Sequence, residues 1–171
     1  MANLLFNPKL ELPLKEGTEI IPNLYLGSKK IIEHHAAYFD LIINCTPDIN
    51  IPEPAAIATI SKPLGHIIRL PVKDDSYESL KLYKLFQETQ VLFEINKYLK
   101  EGKKVLVFCN MGVQRSAAVV ASYLIKFAKY SLVDAIKYIK AKRPVAFFGD
   151  INFMQTLFTV ANDVRMENSR S

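Results

Sequence analysis

Four short apolar runs along the chain predict buried β-strands. Residues 41–45 and 105–108 are apolar almost throughout, which is the pattern of strands covered on both faces of a sheet. Residues 67–72 predict a third strand. Residues 19–26 predict a fourth, in which Pro22 indicates an edge position because proline has no N–H for strand pairing. A short edge strand is also expected near Thr59.

Five segments carry apolar residues at helical spacing and predict α-helices. The longest covers residues 79–100 and ends before Gly102, since glycine favours the conformation that closes a helix. Residues 117–127 are apolar almost all round, so we expect that helix to be buried. The other three are residues 29–38, capped by Ser28, residues 132–142, between Ser131 and Pro144, and residues 152–164, capped by Asp150.

The alternation of strands and helices predicts an α/β fold with a central, mostly parallel sheet flanked by helices. The length of 171 residues suits one domain, and a composition of 50% apolar and 23% charged residues is that of a globular protein. No apolar run is long enough to cross a bilayer.

The net charge of +5 favours acidic partners, such as phosphorylated proteins, nucleic acid or an anionic membrane. The lysines are scattered and form no compact basic block, so nucleic-acid binding gains no independent support. The two cysteines show no disulfide pattern, which favours a reducing compartment, the cytoplasm or the nucleus. The three histidines have no metal-ligand spacing with either cysteine, and we expect no metal ion or other cofactor.

The segment from Cys109 to Ser116 links a predicted strand to a predicted helix. A helix start leaves backbone N–H groups unpaired and carries partial positive charge, so a junction of this kind binds anions. Gly112 allows a conformation in which successive N–H groups point inwards, and Arg115 offers a planar pair of donors to two phosphate oxygens. Such positive surroundings favour the thiolate form of a cysteine, so Cys109 is a candidate nucleophile toward phosphorus.

A plainer interpretation treats Cys109 as an ordinary buried thiol and Arg115 as a surface cation. The spacing argues against it, because a glycine follows three residues after the cysteine and an arginine six residues after it, at a strand–helix junction. Ser116, the next residue, is placed to donate its hydroxyl group to the sulfur.

The octapeptide CNMGVQRS matches the Cys-x5-Arg-Ser signature of the cysteine-dependent protein phosphatases, and the chain resembles their small dual-specificity branch. The resemblance extends from Thr18 to Asn162 and includes IPNLYLGS, IINCT, LPVKD and KRPVAFFGDINFMQTL. It implies a dual-specificity phosphatase-like catalytic domain over residues 18–165, with an N-terminal arm at residues 1–17 and a C-terminal tail at residues 166–171. The oligomeric state stays open.

The resemblance implies a metal-independent phosphatase that hydrolyses phosphotyrosine and phosphoserine/threonine in phosphorylated protein substrates. Cys109 would attack the phosphorus and form a phosphocysteine, and Ser116 would later stabilise the departing sulfur. Backbone N–H groups and one guanidinium would hold the phosphate oxygens. The residues that supply them are Asn110, Met111, Gly112, Val113, Gln114 and Arg115.

Two neighbouring aspartates compete for the role of general acid. Asp75 stands three residues before Glu78, ahead of a predicted helix, which fits an N-cap with a capping-box partner. The family places its general acid at the last residue of the LPVKD segment, which is Asp74 in this chain. We therefore assign the acid to Asp74.

Three further residues have two interpretations each. Asn44 either forms a turn at its strand end or braces the phosphate loop, as its counterpart does in the family, and we assign it a supporting role. Cys45 either forms a disulfide with Cys109 under oxidation or fills the core, and the second is favoured because strand alternation does not direct it towards Cys109. Arg143 either contacts a second anionic group of the substrate or is a helix-end cation.

One position departs from the family pattern. Phe108 stands where the family usually has a histidine that supports the loop and the acidity of the thiol. This departure prompts an alternative, a phosphoprotein-binding module of weak catalytic activity. A further alternative is an RNA 5′-triphosphatase or phosphoinositide phosphatase, because relatives of the family act on both, although the loop lacks the lysines that a polyanionic group favours.

Overall fold

The computed structural model describes residues 16–51 and 65–170 of the chain. The N-terminal arm predicted at residues 1–17 therefore lies almost entirely outside the described residues, as does the edge strand predicted near Thr59. No helix within the described ranges is long and apolar enough to span a membrane.

Five strands form one central sheet among the described residues. Their order across the sheet is β1, β2, β5, β3, β4, and every neighbouring pair is parallel except the antiparallel pair β1 and β2. The strands are β1 (Gly17–Ile21), β2 (Leu24–Ser28), β3 (Leu41–Asn44), β4 (His66–Arg69) and β5 (Val105–Cys109). The predicted α/β fold with a mostly parallel sheet is confirmed.

Six α-helices accompany the sheet in the described part of the chain. They are α1 (Lys30–His35), α2 (Ser79–Thr89), α3 (Val91–Lys100), α4 (Arg115–Phe127), α5 (Leu132–Lys142) and α6 (Met154–Ser169). The cap predicted for α5 is confirmed, since the Ser131 side chain accepts a hydrogen bond from the N–H of Asp134. The predicted helix at residues 29–38 is shorter than expected, because it changes into a 3-10 turn at Ala36–Tyr38.

The single strand predicted over residues 19–26 is wrong, because two strands and a tight turn occupy this segment. Pro22 and Asn23 form the turn between β1 and β2, and Asn23 adopts a positive φ of 70°. Proline and asparagine favour such turns, since proline fixes its own φ and asparagine tolerates the left-handed region. The chain therefore reverses at Pro22 and forms a hairpin with β1 at the sheet edge.

The long helix predicted over residues 79–100 is also two elements. Gln90 separates α2 from α3 and adopts left-handed backbone angles, φ 55° and ψ 32°. The apolar pattern explains the break. Leu82 and Phe86 are buried in α2, but the next positions on that face are polar, and burial resumes at Val91. The inward face therefore changes phase at the break.

The last helix differs from its prediction at both ends. It begins at Met154, with Phe153 at the N-cap position and no side-chain cap, so the predicted cap by Asp150 is wrong. It continues to Ser169, beyond the predicted end at Val164, so most of the segment predicted as a C-terminal tail is helical. Its apolar face packs on α4 and α2.

The sheet separates two apolar layers. One layer holds the buried faces of α2 to α6, together with Val105, Val107 and Cys109 of β5. The other holds α1 with Leu106 and Phe108. Successive strand residues point to opposite faces, which explains this alternation along β5. The ring of Phe108 therefore packs beneath α1, on the face of the sheet opposite to the Cys109 side chain.

This packing predicts that Phe108→Ala lowers the free energy of unfolding by about 3–5 kcal/mol, since a buried ring leaves a cavity when it is truncated. Equilibrium unfolding in denaturant measures the change. Phe158→Ala is the matched control: its side chain is largely exposed on α6, and the loss there should stay within about 0.5 kcal/mol. Equal losses in the two variants would contradict the buried role of Phe108.

Candidate active site

A cavity of about 670 Å³ opens at the carboxyl end of β5. Ligands bind at this edge of parallel sheets because the loops that follow the strands meet there. The residues that line the cavity are Asp74, Cys109, Asn110, Met111, Val113, Gln114, Arg115, Val145, Phe148, Asp150 and Asn152. The signature loop, which we define as residues 109–115, forms much of its floor.

The sulfur of Cys109 lies in this floor beside a hydroxyl group. Cys109 is the last residue of β5 and is only 3% exposed. Its Sγ lies 3.1 Å from Oγ of Ser116, which is fully buried in the first turn of α4. The hydroxyl of Ser116 is thus placed to donate to the sulfur, as the sequence predicts.

Arg115 is the first residue of α4 and lies mostly buried against the cavity. Its Nη1 donates to the carbonyl oxygen of Val72, at 3.1 Å, which ties the guanidinium to the segment after β4. Its Nε is buried and has no hydrogen-bond partner. The guanidinium of Arg115, which lines the cavity, keeps an unsatisfied donor in Nε, and leaving such a donor unpaired is costly.

The backbone of the signature loop is held by donors that lie outside it. Four consecutive carbonyl groups accept hydrogen bonds from outside the loop: those of Asn110, Met111, Gly112 and Val113 bond Lys29 N (3.2 Å), Arg143 Nη2 (3.1 Å), Arg143 Nε (2.9 Å) and Phe147 N (2.8 Å). In a trans peptide the C=O group and the following N–H group point in opposite directions. The next four N–H groups, those of residues 111–114, therefore point away from those donors.

Gly112 is required in this loop for two reasons. Its φ of 67° lies in the left-handed region, which residues with a side chain rarely adopt. A Cβ atom here would also lie 2.7 Å from Nη2 of Arg143 and 2.7 Å from the backbone carbon of Gly27. The expected role of Gly112 in shaping the loop thus has a steric cause.

The role of Arg143 is not visible in the sequence pattern. The two interpretations of this residue were a contact with a second anionic group of the substrate and a helix-end cation, whereas it is 2% exposed and bonds the backbone of the signature loop. Burial lowers the pKa of its guanidinium, and the nearby charge of Cys109 opposes this effect. The residue lies in the segment KRPVAFFGDINFMQTL, but neither charge nor spacing distinguishes it from the neighbouring surface lysines.

Gln114 also has a role that its variable position in the signature did not indicate. Its Nε2 donates to the carbonyl oxygens of Phe148 (3.1 Å) and Asp150 (2.8 Å), and its Oε1 accepts from the N–H of Asn152 (3.1 Å). One buried amide thus holds the loop between α5 and α6 against the cavity. Phe148, which is 79% exposed, forms part of the cavity wall through this contact.

The two aspartates occupy different places. Asp74 lines the cavity with Cys109, and its Oδ1 accepts a hydrogen bond from Nδ2 of Asn152, at 2.8 Å. Asp75 accepts from the N–H of Tyr77, at 2.9 Å, and caps the 3-10 turn at Ser76–Glu78. The structure therefore agrees with the assignment of a capping role to Asp75 and brings Asp74 to the cavity.

The hydrogen bonds of the Asn44 side chain favour the turn interpretation over a direct bond to the signature loop. Its Oδ1 accepts from the N–H (3.1 Å) and the hydroxyl (2.6 Å) of Thr46, and its Nδ2 donates to the carbonyl of Ile49 (2.8 Å). These bonds close the turn after β3, as asparagine often does at strand ends. Its contribution is to the shape of that turn.

Comparison with known proteins agrees with this geometry. The family model described as dual specificity phosphatase, catalytic domain, matches residues 24–163. The chain belongs to the dual-specificity phosphatase family. Protein 123R of Invertebrate iridescent virus 6 is 37% identical over 133 residues, covering 77% of this chain and 83% of its own length. The crystal structure of human DUSP28 has a TM-score of 0.72 and 26% identity, and the match covers 90% of this chain and 97% of that chain.

Other members of the family are much longer than this chain. Tyrosine-protein phosphatase vhp-1 of Caenorhabditis elegans is 31% identical over 92% of this chain, but the match covers 23% of the nematode protein. Dual specificity protein phosphatase 5 of the rat is 33% identical over 74% of this chain and 31% of its own length. The chain thus matches one domain of these larger phosphatases.

The second cysteine of this dual-specificity phosphatase domain belongs to the core. Cys45 is fully buried in the apolar layer of α4, and both cysteines are free thiols. Burial raises the pKa of the Cys45 thiol, and the charge of Cys109 raises it further. The apolar role favoured from the sequence agrees with this position.

We predict that Cys45 stays unmodified by iodoacetamide at about pH 8 in folded Cys109→Ser protein, although an ordinary thiol of pKa about 8.5 reacts there. The raised pKa keeps Cys45 protonated, and burial excludes the reagent. Mass spectrometry of the alkylated protein measures the modification, and the same protein unfolded in guanidinium chloride is the control that should react. Rapid modification of the folded protein would contradict the buried position.

Proposed function

We propose that this chain is a metal-independent protein phosphatase that hydrolyses phosphotyrosine and phosphoserine/threonine through a phosphocysteine intermediate. The observation that carries the proposal is that Cys109 and Arg115 line one cavity with a loop whose carbonyl groups are held by donors outside it, an arrangement that turns the loop N–H groups inwards. These donors match the oxygens of a phosphate group, and they place its phosphorus near the sulfur.

In the first step the Cys109 thiolate attacks phosphorus in line with the leaving oxygen. The S–P bond forms as the P–O bond of the ester breaks, and Asp74 gives its proton to the departing oxygen. Because Asn152 donates a hydrogen bond to Oδ1 of Asp74, the transferred proton is carried by Oδ2. The guanidinium of Arg115 and the loop amides stabilise the charge on the three equatorial oxygens.

In the second step a water molecule attacks the phosphocysteine. Asp74, now a carboxylate, accepts a proton from this water as the S–P bond breaks. Ser116 donates its hydroxyl hydrogen bond to the departing sulfur, from which it is separated by 3.1 Å. Inorganic phosphate leaves and the thiolate is restored. In both steps the Arg115 guanidinium supplies a positive charge and the loop amides supply hydrogen-bond donors, so the mechanism requires no metal ion.

The cavity wall favours a single phosphate carried on an apolar body. Met111, Val145 and Phe148 are exposed apolar residues at its rim, and Arg115 is the one cation among the described residues that line it. The same wall carries two carboxylates, Asp74 and Asp150. An RNA triphosphate or an inositol polyphosphate needs several cations, so a phosphorylated protein side chain is the better substrate.

The chemistry also favours a compartment in which thiols stay reduced. Cys109 must remain a free thiol to act as the nucleophile, and Cys45 is free as well. We therefore place the protein in the cytoplasm, with the nucleus as the alternative.

Replacement of the nucleophile tests the proposal directly. Cys109→Ser should abolish hydrolysis of para-nitrophenyl phosphate and leave the circular dichroism spectrum unchanged, since a hydroxyl group of ordinary pKa is a weak nucleophile. The matched control is Cys45→Ala, which should retain turnover because that residue lies in the apolar core. Undiminished hydrolysis by Cys109→Ser would refute the assignment. If the protein with Cys109 intact binds a phosphopeptide but releases no burst of phosphate, it is a binding module and not a phosphatase.

If Asp74 is the general acid, the effect of replacing it should depend on the leaving group of the substrate. Asp74→Ala should slow hydrolysis of a phosphopeptide by roughly 10²- to 10⁴-fold, whereas an activated aryl ester, whose leaving group needs no proton, should lose far less. Steady-state kinetics on both substrates measure the ratio. Asp75→Ala is the matched control, because that carboxylate caps the 3-10 turn. If Asp75→Ala gives the selective loss, the two roles are reversed.

A further inference from the structure

We propose that Arg143 is the positioning residue that sets the direction of the phosphate-binding amides of the signature loop. It acts through the backbone and does not itself touch the phosphate. The proposal rests on the function proposed above only in requiring that the loop binds phosphate, and it adds a role for a residue outside the Cys-x5-Arg-Ser signature.

The geometry of the contact carries the proposal. Nε and Nη2 of Arg143 donate to two consecutive carbonyl oxygens, those of Gly112 at 2.9 Å and Met111 at 3.1 Å. These two nitrogens form one edge of the planar guanidinium, so a single rigid group fixes two adjacent peptide planes. The close approach of Nη2 to the position that a Cβ of Gly112 would occupy indicates that this contact is tightly packed.

Fixing those carbonyls also fixes two donors. The peptide that carries the carbonyl of Met111 also carries the N–H of Gly112, and the peptide that carries the carbonyl of Gly112 also carries the N–H of Val113. With both carbonyls directed at Arg143, both N–H groups point away from it, towards the cavity. Donors that are already oriented bind an oxyanion without paying for reorganisation, which is the basis of electrostatic preorganisation.

Among the four donors that bond the carbonyls of the signature loop, Arg143 provides the two that belong to a side chain, and the other two are backbone N–H groups. The carbonyls of Asn110 and Val113 are bonded by the backbone N–H groups of Lys29 and Phe147. The two carbonyls between them are bonded by Arg143, so only that half of the support can be removed by substitution without moving the main chain.

The surroundings of Arg143 exclude a direct role in binding substrate. Its side chain is almost fully buried, it is absent from the residues that line the cavity, and its Nη1 donates to the hydroxyl of Thr18 in β1, at 3.2 Å. The guanidinium thus links the sheet edge, the end of α5 and the signature loop. A second anionic group of a substrate has no access to it.

The test measures binding of inorganic phosphate to Cys109→Ser protein, because this background removes turnover and isolates the loop. ¹⁵N-labelled protein is titrated with phosphate, and the amide signals of Gly112 and Val113 are followed by NMR. Arg143→Met, added to this background, removes the donors and the charge while keeping an unbranched side chain. Arg69→Met is the matched control, because Arg69 also donates to backbone carbonyls, those of Thr46 and Pro47, away from the loop.

Arg143→Met should weaken phosphate binding by about tenfold or more, the loss expected for misdirecting two donors to a charged group. The Gly112 and Val113 amide signals should no longer shift on titration, whereas Arg69→Met should leave both readouts unchanged. Arg143→Lys keeps the charge but replaces a planar pair of donors with a single point, so it should not restore the affinity. A merely structural role would lower the melting temperature without this selective change in two amide signals.

The outcomes separate the two proposals. If Cys109→Ser protein with Arg143 intact binds no phosphate, the function proposed above fails. If that protein binds phosphate and Arg143→Met or Arg143→Lys binds it equally well, the positioning role is overturned. Should neither variant fold, the side-chain Nε–H of Arg143 in the Cys109→Ser protein decides: it should be protected from solvent exchange, and fast exchange would overturn the contact with Gly112.

Discussion

The orientation of four consecutive peptide groups after β5 is the constraint on which this site depends. Each of the carbonyls of residues 110–113 accepts a hydrogen bond from a donor outside the loop, so the following N–H groups all point away from those donors. Successive N–H groups that point to the same side form an anion-binding site. Without a bound anion their partial positive charges repel one another. The carbonyl partners hold the loop in that arrangement before any phosphate arrives.

The rest of the fold supplies these partners from distant parts of the sequence. Lys29 precedes α1, Arg143 follows α5 and Phe147 belongs to the loop before α6. Phe147 has a φ of 56°, a strained value for a residue with a large side chain, and its N–H bonds Val113. Strain of this kind persists only where the surrounding contacts enforce it, and it is typical of functional sites. Gln114 extends the same support to the cavity wall.

The position of Phe108 shows that the signature loop is held by residues other than residue 108. The family resemblance implies a histidine at this position that supports the loop, and its replacement suggested weak catalysis. In the structure Phe108 packs under α1 on the far side of the sheet, while the loop carbonyls bond Arg143 and two backbone N–H groups. The support of the loop therefore does not depend on a polar side chain at residue 108.

The α/β class, the parallel core strands, the strand–helix loop with Cys109, Gly112 and Arg115, and the capping role of Asp75 could all be predicted from the amino-acid pattern. These features are local: a strand–helix junction, a glycine at a fixed spacing and a capping pattern are all written in consecutive residues. The three-dimensional contacts were needed to show that Asn44 closes its own turn and that Arg143 is buried against the loop. Those outcomes depend on which distant backbone groups lie opposite a side chain, and no short-range pattern of charge or hydrophobicity encodes that.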